Sequence, residues 1–167
     1  KFFPGSTIYL SCWNNYEYII NIKAQHPNIK IVLVEDPGNP GVIAVGKKNN
    51  LKKYTNSINR QITCSANLIT NSTTDYSCIV RSDFVFHNNN ILELYKRSKK
   101  LRINKKYQLF KEPIVAPFFG SVDPRPKLFK NQARFVFHPS DLFHFGMTKD
   151  LKEYWDSPLM REEDFTY

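Results

Sequence analysis

Apolar runs and helical apolar stripes alternate along the first part of the chain. Residues 7–12 form a short apolar run that predicts a strand, and Ile19 and Ile20 belong to a helical stripe that ends at His26-Pro27. Residues 29–34 are rich in β-branched side chains and predict a second strand. A strand, a helix and a strand within about 30 residues form a βαβ unit, so these two strands should pair in parallel.

Residues 78–86 hold two apolar runs that are separated by Arg81, Ser82 and Asp83. Turn-forming residues flank this stretch on both sides, which predicts a buried strand. Side chains alternate along a strand, so Arg81 and Asp83 should point to one face and Ser82 to the other. A buried cation beside a carboxylate is costly without a charged partner. We therefore expect a diphosphate site at this strand, with or without a metal.

The remaining pattern continues the alternation of helices and strands. Residues 41–56 are polar and basic and predict a loop, while residues 142–146 predict a buried turn. Apolar spacing predicts helices over residues 59–69, from Ile91 onwards and over residues 148–155, and short apolar runs predict strands over residues 114–119 and 134–137. At this length we predict a single α/β domain over residues 1–167.

Basic residues outnumber acidic ones. The 24 Lys and Arg residues against 15 Asp and Glu residues give a net charge of +9. Such a surplus suits phosphate-bearing ligands, nucleic acid or an anionic membrane surface. The densest cluster covers residues 96–102 and continues at Lys105 and Lys106. It can lie against anionic lipid headgroups, or it can be a solvated helix end.

Cysteine usage and hydropathy indicate the compartment. The 3 cysteines, Cys12, Cys64 and Cys78, are odd in number and show no C-x-x-C spacing, which argues against a disulfide framework or a zinc site. A reducing, cytoplasmic location is the simplest inference. No apolar run approaches the roughly 18 residues of a membrane span. Contact with a membrane, if it occurs, should therefore be peripheral.

Several familiar catalytic motifs are absent from the sequence. No Gly-rich phosphate loop occurs, and no G-x-G-x-x-G follows the first predicted strand. The sequence also lacks a G-x-S-x-G nucleophile elbow and H-E-x-x-H spacing among its 4 histidines. These absences argue against P-loop, dinucleotide-binding, α/β-hydrolase and zincin chemistry.

Charged residues at the predicted strand ends suit a nucleotide-diphosphate ligand. Ligands of parallel sheets bind beyond the carboxyl ends of the strands, which puts Ser11 and Trp13 on the same edge as Glu35 and Asp36. Arg60 lies in the first turn of a predicted helix, where a cation opposes the helix dipole. It either holds an anion together with the helix amides or is a plain surface residue.

A diphosphate leaving group also constrains the chemistry. Its negative charge must be neutralised as the bond breaks, by a divalent cation on carboxylates or by arginines. A separate carboxylate then deprotonates the attacking hydroxyl. Asp141 is the candidate base because it opens a turn after a predicted strand. It can equally cap that turn, as aspartate often does.

Four short stretches carry a family resemblance, which extends from about residue 8 to residue 155. They are Val34-Glu35-Asp36-Pro37-Gly38, Asn59-Arg60-Gln61-Ile62, Val80-Arg81-Ser82-Asp83 and Ser140-Asp141-Leu142-Phe143-His144-Phe145-Gly146. In this order they resemble the WavE lipopolysaccharide synthesis family, whose members are similar to glycosyltransferases with a GT-A-like nucleotide-sugar fold.

The resemblance implies a fold and a set of roles. The fold would be a GT-A-like, Rossmann-type mixed sheet, mainly parallel and flanked by helices. Asp83 would correspond to the last carboxylate of the D-x-D motif, which holds Mn or Mg on the donor diphosphate. Glu35 or Asp36 would lie near the nucleoside, Arg60 near the phosphates, and Asp141 would face the acceptor.

The chain departs from the D-x-D pattern at one position. Arg81 stands where the motif has its first carboxylate, so Arg81 can supply charge in place of a metal, with Ser82 between it and Asp83. Our prediction is a nucleotide-sugar-dependent glycosyltransferase that acts on a surface glycan with inversion. The alternatives are a basic nucleic-acid-binding module and an inactive sugar-nucleotide-binding domain.

Overall fold

The computed structural model describes residues 3–14, 16–39, 42–45, 52–55, 57–117 and 142–161. In chain order the elements are β1 Tyr9–Trp13, α1 Tyr16–Gln25, β2 Lys30–Val34, β3 Val42–Val45, β4 Lys52–Thr55, α2 Ile58–Thr70, β5 Tyr76–Val80, α3 Asn90–Ser98, a 3-10 helix Lys105–Tyr107, β6 Phe143–Met147 and α4 Thr148–Trp155. No helix in this part of the chain has the length and hydropathy needed to cross a lipid bilayer.

Contacts along the chain separate two compact units. The amino-terminal unit comprises Pro4–Ser72 and Lys152–Tyr167, and the central unit comprises Lys1–Phe3 and Thr73–Leu151. Each unit has its own sheets and buried side chains, and we describe them one at a time. A single domain over residues 1–167 stays a prediction.

A βαβ unit forms the centre of the amino-terminal unit. β1 pairs with β2 in parallel, from Tyr9 opposite Lys30 to Trp13 opposite Val34, and α1 is the crossover between them. The predicted strand–helix–strand order and the parallel pairing are both confirmed. Within the predicted stripe of α1, Ile19 is buried, but Ile20 is 64% exposed, so the inward face is narrower than we expected.

The helix α2 covers the parallel strand pair and packs against both β1 and β2. Its buried positions are Asn59, Ile62, Ser65 and Ile69, which are spaced by three or four residues and therefore share one face. The side chain of Asn59 donates to the carbonyl of Met160 and accepts from its amide, both at 2.8 Å. The predicted helix over residues 59–69 is confirmed.

Residues 41–56 include a hairpin that sequence reasoning missed. β3 and β4 pair antiparallel, with Val42 opposite Thr55 and Val45 opposite Lys52. The prediction of a loop for this stretch was wrong in those eight residues. The high Lys content of the stretch led to the loop prediction, although the stretch also contains Val, Ile, Tyr and Thr, residue types that favour strands.

The central unit is organised around an antiparallel strand pair. β5 pairs with β6 from Tyr76 opposite Met147 to Val80 opposite Phe143. The prediction of a buried turn over residues 142–146 was wrong, because residues 143–147 are this strand. A side chain on Gly146 would meet the backbone oxygen of Pro113 and the side chain of Ile114 at 3.4 Å, so glycine permits this close approach.

Helices α3 and α4 confirm the predictions made for them. Ile91 and Tyr95 of α3 pack with Phe145 of β6 to form a buried aromatic-aliphatic cluster. Thr148 opens α4, and its hydroxyl donates to the carbonyl of Thr74 at 2.5 Å. On α4 itself the predicted inward side chains Leu151 and Trp155 are buried and Tyr154 is half-buried.

The predicted large, mainly parallel sheet is not what the described residues form. They form three separate two-stranded sheets, of which only the β1–β2 pair is parallel. Of the strand predicted over residues 114–119, the structure describes residues 114–117, and these make a single bridge between Val115 and Phe145. The strand predicted over residues 134–137 lies outside the described residues, and a GT-A-like fold stays a prediction.

The buried side chain of Leu151 in α4 gives a stability prediction. Leu151 is fully buried, so Leu151→Ala should lower the free energy of unfolding by about 2–5 kcal/mol because it leaves a cavity. The matched control is Leu94→Ala, since Leu94 is also helical but 51% exposed; it should change stability by less than about 0.5 kcal/mol. Denaturant unfolding of both variants measures the difference, and equal losses would contradict the assignment of the core.

Candidate functional site

The carboxyl ends of β1 and β2 form a shared edge in the amino-terminal unit. Trp13 is the last residue of β1 and lies opposite Val34, the last residue of β2. Glu35 and Asp36 continue the chain from that edge, and both are exposed. Trp13, Glu35 and Asp36 therefore lie where parallel sheets usually bind ligands, beyond the strand ends.

An ion pair joins this edge to the first turn of α2. Arg60 donates from Nε to Asp36 Oδ1 at 2.8 Å and from Nη2 to Asp36 Oδ2 at 2.5 Å. This two-point geometry is the strong form of an arginine–carboxylate contact. The side chains of Arg60 and Asp36 remain 36% and 38% exposed, so the pair is open to solvent and to ligands.

The turn after β2 holds the Asp36 carboxylate in place. Its Oδ1 also accepts a hydrogen bond from the amide of Gly38 at 3.0 Å. Gly38 has a φ of 73°, which glycine adopts without the steric cost that other residues carry. Gly38 ends the first of the four family stretches, but no role was assigned to it from sequence, although the order Asp36-Pro37-Gly38 is a turn signal with that mechanism.

Each member of the Asp36–Arg60 pair stabilises the ionised form of the other. The hydrogen bonds from Arg60 hold the pKa of the Asp36 carboxyl below its usual value, and Asp36 in turn raises the pKa of Arg60. Both groups are therefore ionised at neutral pH, and in this state each neutralises the other. Ser57, which precedes α2, makes no side-chain capping hydrogen bond to the helix. The first backbone amides of α2, close to Arg60 in sequence, therefore receive no hydrogen bond from the Ser57 side chain.

Ser11 lies beneath this edge rather than on it. Its hydroxyl oxygen is enclosed, and it neighbours the thiol of Cys64 on α2. Burial raises the pKa of the Cys64 thiol, and the Ser11 hydroxyl opposes that effect. Burial and the nearby Cys64 also raise the pKa of Cys12. These thiols are thus protonated at neutral pH, and Trp13, Glu35 and Asp36 are the predicted site residues that lie at the end of the strands.

A second arginine–aspartate pair belongs to the central unit. Arg81 donates from Nε to Asp83 Oδ1 at 2.9 Å and from Nη2 to Oδ2 at 2.7 Å. Sequence reasoning correctly put these two side chains next to each other. Arg81 holds the pKa of Asp83 below its usual value.

The structural setting of that second pair differs from the prediction. β5 ends at Val80, and a turn closed by the hydrogen bond from Phe84 N to Arg81 O follows it. The prediction of one buried strand over residues 78–86 was therefore wrong, and Ser82 is an exposed turn residue. The Arg81 and Asp83 side chains are 46% and 63% exposed, so water solvates their charges and no buried charge needs a partner.

The described residues offer a poor fit to a divalent metal. No group of three or more His, Cys, Asp or Glu side chains is arranged around a common point within them. Mn and Mg prefer several oxygen ligands, whereas the Asp83 carboxylate is already engaged on both oxygens by Arg81. The Mn or Mg site stays a prediction. The predicted base, Asp141, lies outside the described residues.

Comparison with known proteins gives the family. A family model described as WavE lipopolysaccharide synthesis matches residues 1–167, the whole chain. The chain belongs to the WavE lipopolysaccharide synthesis family. The resemblance carried by the four sequence stretches is thereby confirmed, and the name of the WavE family indicates a role in lipopolysaccharide synthesis. No curated protein and no solved structure gives a significant match.

The Asp36–Arg60 pair gives a pH prediction for this WavE-family protein. Arg60→Gln should raise the pKa of the Asp36 carboxyl back towards its ordinary value, because the donor that favours the charged form is lost. Since the folded-state pKa of Asp36 is lowered, the pair stabilises the fold above the unfolded pKa of about 3.9, and this contribution is lost as the pH falls through the folded value.

NMR titration of the aspartate carboxyl carbons measures this shift. Lys23→Gln is the matched control, because Lys23 is an exposed cation of the same unit on α1. It should leave the Asp36 titration unchanged. An Asp36 pKa that does not move in Arg60→Gln would show that the ion pair is not formed in solution.

Proposed function

We propose that this protein is a glycosyltransferase of lipopolysaccharide synthesis, which moves a sugar from a nucleotide-diphosphate sugar to a hydroxyl of a growing surface glycan. The observation that carries the proposal is the Asp36–Arg60 pair, which lies at the carboxyl edge of the parallel β1–β2 pair. Membership in the WavE family supports the biosynthetic context.

Arg60 is the proposed diphosphate-binding group. A guanidinium fork matches the oxygens of a phosphate as well as those of a carboxylate, so a diphosphate can take the place that Asp36 occupies in this state. Because both side chains are more than one-third exposed, exchanging the partner does not leave a charge buried and unpaired. The start of α2 adds favourable backbone amides on the same side.

The nucleoside is proposed to lie along the strand edge. A carboxylate that follows the second strand of a βαβ unit commonly accepts hydrogen bonds from ribose hydroxyls, and Glu35 and Asp36 hold that position. When Arg60 turns to the diphosphate, Asp36 is released to accept such bonds. The indole of Trp13, at the end of β1, is the proposed stacking surface for the base.

The proposed chemistry is a direct displacement. The acceptor hydroxyl oxygen attacks the anomeric carbon of the sugar, and the bond from that carbon to the diphosphate oxygen breaks with inversion. The hydroxyl proton passes to a carboxylate base, for which Asp141 is the candidate. The leaving nucleoside diphosphate gains negative charge, which arginine side chains can neutralise. Through the D-x-D correspondence, Arg81 stays a candidate for neutralising that charge, and Asp83 stays a candidate only for holding a divalent cation that would do so.

Donor binding tests the role of Arg60. In a thermal-shift screen, a nucleoside diphosphate or nucleotide sugar that binds should raise the melting temperature of the unchanged protein, because a ligand that binds only the folded state stabilises it. Arg60→Gln should weaken that binding by roughly 10- to 100-fold, the range expected for a lost charge-assisted hydrogen bond. Lys23→Gln is again the control and should bind normally; equal binding by Arg60→Gln would exclude Arg60 from the site.

Turnover tests the role of Asp83. If Asp83 acts at the donor diphosphate, Asp83→Asn should abolish sugar transfer while the far-UV circular dichroism spectrum stays unchanged, because the side chain is exposed. Glu93→Gln is the matched control, since Glu93 is another exposed carboxylate that pairs with a neighbouring cation, Lys96. Unchanged turnover in Asp83→Asn would remove Asp83 from the mechanism, and donor binding without any transfer would favour an inactive sugar-nucleotide-binding domain.

A further inference from the structure

The central unit carries a second surface that the proposed reaction does not use. We call residues 96–111 the basic segment. It contains eight Lys and Arg residues and no Asp or Glu, so one tenth of the chain holds a third of its 24 basic residues. It runs from the last turn of α3 through the 3-10 helix Lys105–Tyr107.

Two buried or half-buried carboxylates fix the far end of the basic segment. Glu112 accepts a hydrogen bond from the hydroxyl of Tyr95 and one from Lys99 Nζ at 2.9 Å, which ties it to α3. Asp150, in the first turn of α4 and 2% exposed, accepts from the amides of Glu112 at 2.8 Å and Lys111 at 3.3 Å. The basic segment therefore begins in α3, and the residue that follows it, Glu112, is hydrogen-bonded back to the end of the same helix.

Local hydrogen bonds give the segment a defined backbone. The side chain of Asn104 accepts from the amide of Lys106 at 3.0 Å, and the amide of Tyr107 donates to the carbonyl of Asn104 at 2.9 Å. The side chain of Gln108 donates to the carbonyls of Phe110 and Lys111 at 2.8 and 3.0 Å. Side chains along this stretch are therefore presented in a set arrangement and do not depend on a partner for it.

Large apolar side chains project from the basic segment into solvent. Leu101, Ile103, Tyr107 and Leu109 are 68%, 50%, 72% and 83% exposed. Exposed apolar side chains that occur singly need no explanation, but four within nine residues on one ordered stretch mark a surface that a partner covers.

Six of the eight cations of the basic segment form no ion pair at contact distance in the described part of the chain, although Arg97 and Lys100 act on Glu93, and Lys111 on Glu112, at longer range. Lys96 pairs with Glu93 and Lys99 with Glu112. No ion pair joins the other six to a described acidic residue, and all are exposed: Arg97, Lys100, Arg102, Lys105, Lys106 and Lys111. A partner that covers the apolar side chains must therefore bring negative charge around them.

We propose that the basic segment docks this protein on an anionic lipid bilayer. Leu109 and Tyr107 enter the boundary between headgroups and acyl chains, and the unpaired cations lie against the headgroup phosphates. Cations around apolar and tyrosine side chains are the arrangement that interfacial membrane segments use. Such docking would hold the protein at the membrane surface, and it does not depend on the reaction proposed above.

The choice of apolar side chains distinguishes lipid from nucleic acid. Single-stranded nucleic acid binds through aromatic rings on which bases stack. In the basic segment three of the four most exposed apolar side chains are aliphatic, namely Leu101, Ile103 and Leu109. Aliphatic side chains gain from entering hydrocarbon, but they offer bases no stacking surface, so the surface favours a bilayer.

Co-sedimentation with lipid vesicles tests the electrostatic part of the proposal. The protein should bind phosphatidylcholine vesicles that contain roughly one-third phosphatidylglycerol, bind pure phosphatidylcholine far more weakly, and dissociate as salt screens the charges. The triple variant Lys100→Gln/Arg102→Gln/Lys105→Gln should bind on the order of 100-fold more weakly, since each cation near the surface contributes about fivefold.

Matched controls remove equal charge or equal apolar area elsewhere. Lys23→Gln/Lys149→Gln/Lys152→Gln takes three exposed cations from α1 and α4 and should bind nearly as the unchanged protein does. Leu109→Ser tests the apolar part of the proposal and should weaken vesicle binding by roughly 10-fold. Its control is Ile20→Ser, which removes an apolar side chain that is 64% exposed on α1 and should leave vesicle binding unchanged.

Each remaining outcome overturns the docking proposal. It fails if the unchanged protein does not bind anionic vesicles, if the two triple variants bind alike, or if single-stranded RNA competes fully with vesicles and Leu109→Ser has no effect. Nucleotide thermal shifts of the Leu109→Ser variant should equal those of the unchanged protein. Loss of vesicle binding and loss of donor binding are therefore separate results, and either proposal can fail alone.

Discussion

The parallel pairing of β1 with β2 is the constraint on which the candidate site depends. Two parallel strands end at the same edge, so the residues after them meet there however far apart they are in sequence. The α1 crossover makes this pairing possible, and α2 covers the strands and brings Arg60 to Asp36 across 24 positions. Without that pairing, Trp13, Asp36 and Arg60 would be three unrelated surface residues.

The two arginine–aspartate pairs look alike in chemistry but differ in what supports them. Arg81 and Asp83 are two residues apart, so a single turn after β5 brings them together. Arg60 and Asp36 come from different elements, and packing of α2 on the strands decides their contact. The Arg81–Asp83 contact therefore depends on local sequence, whereas the Arg60–Asp36 contact depends on the tertiary packing of α2.

The buried Asp150 and the half-buried Glu112 differ in role from the exposed carboxylates of this protein. Asp150 and Glu112 hold a backbone segment in place, since they accept amide, hydroxyl and ammonium hydrogens at the base of the basic segment. The cations of that segment thereby face solvent on an ordered support. The Asp36–Arg60 pair lies in the amino-terminal unit and the basic segment in the central unit, so the two surfaces are built from different sets of contacts.

The sequence alone determined the local elements, the basic surplus and the family. Periodicity located α2, α3, α4 and the βαβ unit, because helical stripes and β-branched runs are local signals. Only the tertiary structure decided that β3 and β4 form a hairpin, that residues 143–147 are a strand and that the sheets stay small, since each depends on a partner strand. The contacts of Asp36 with the Arg60 guanidinium and of Asp150 with the backbone amide of Glu112 were likewise beyond the sequence, because no local pattern encodes which distant group a carboxylate will meet.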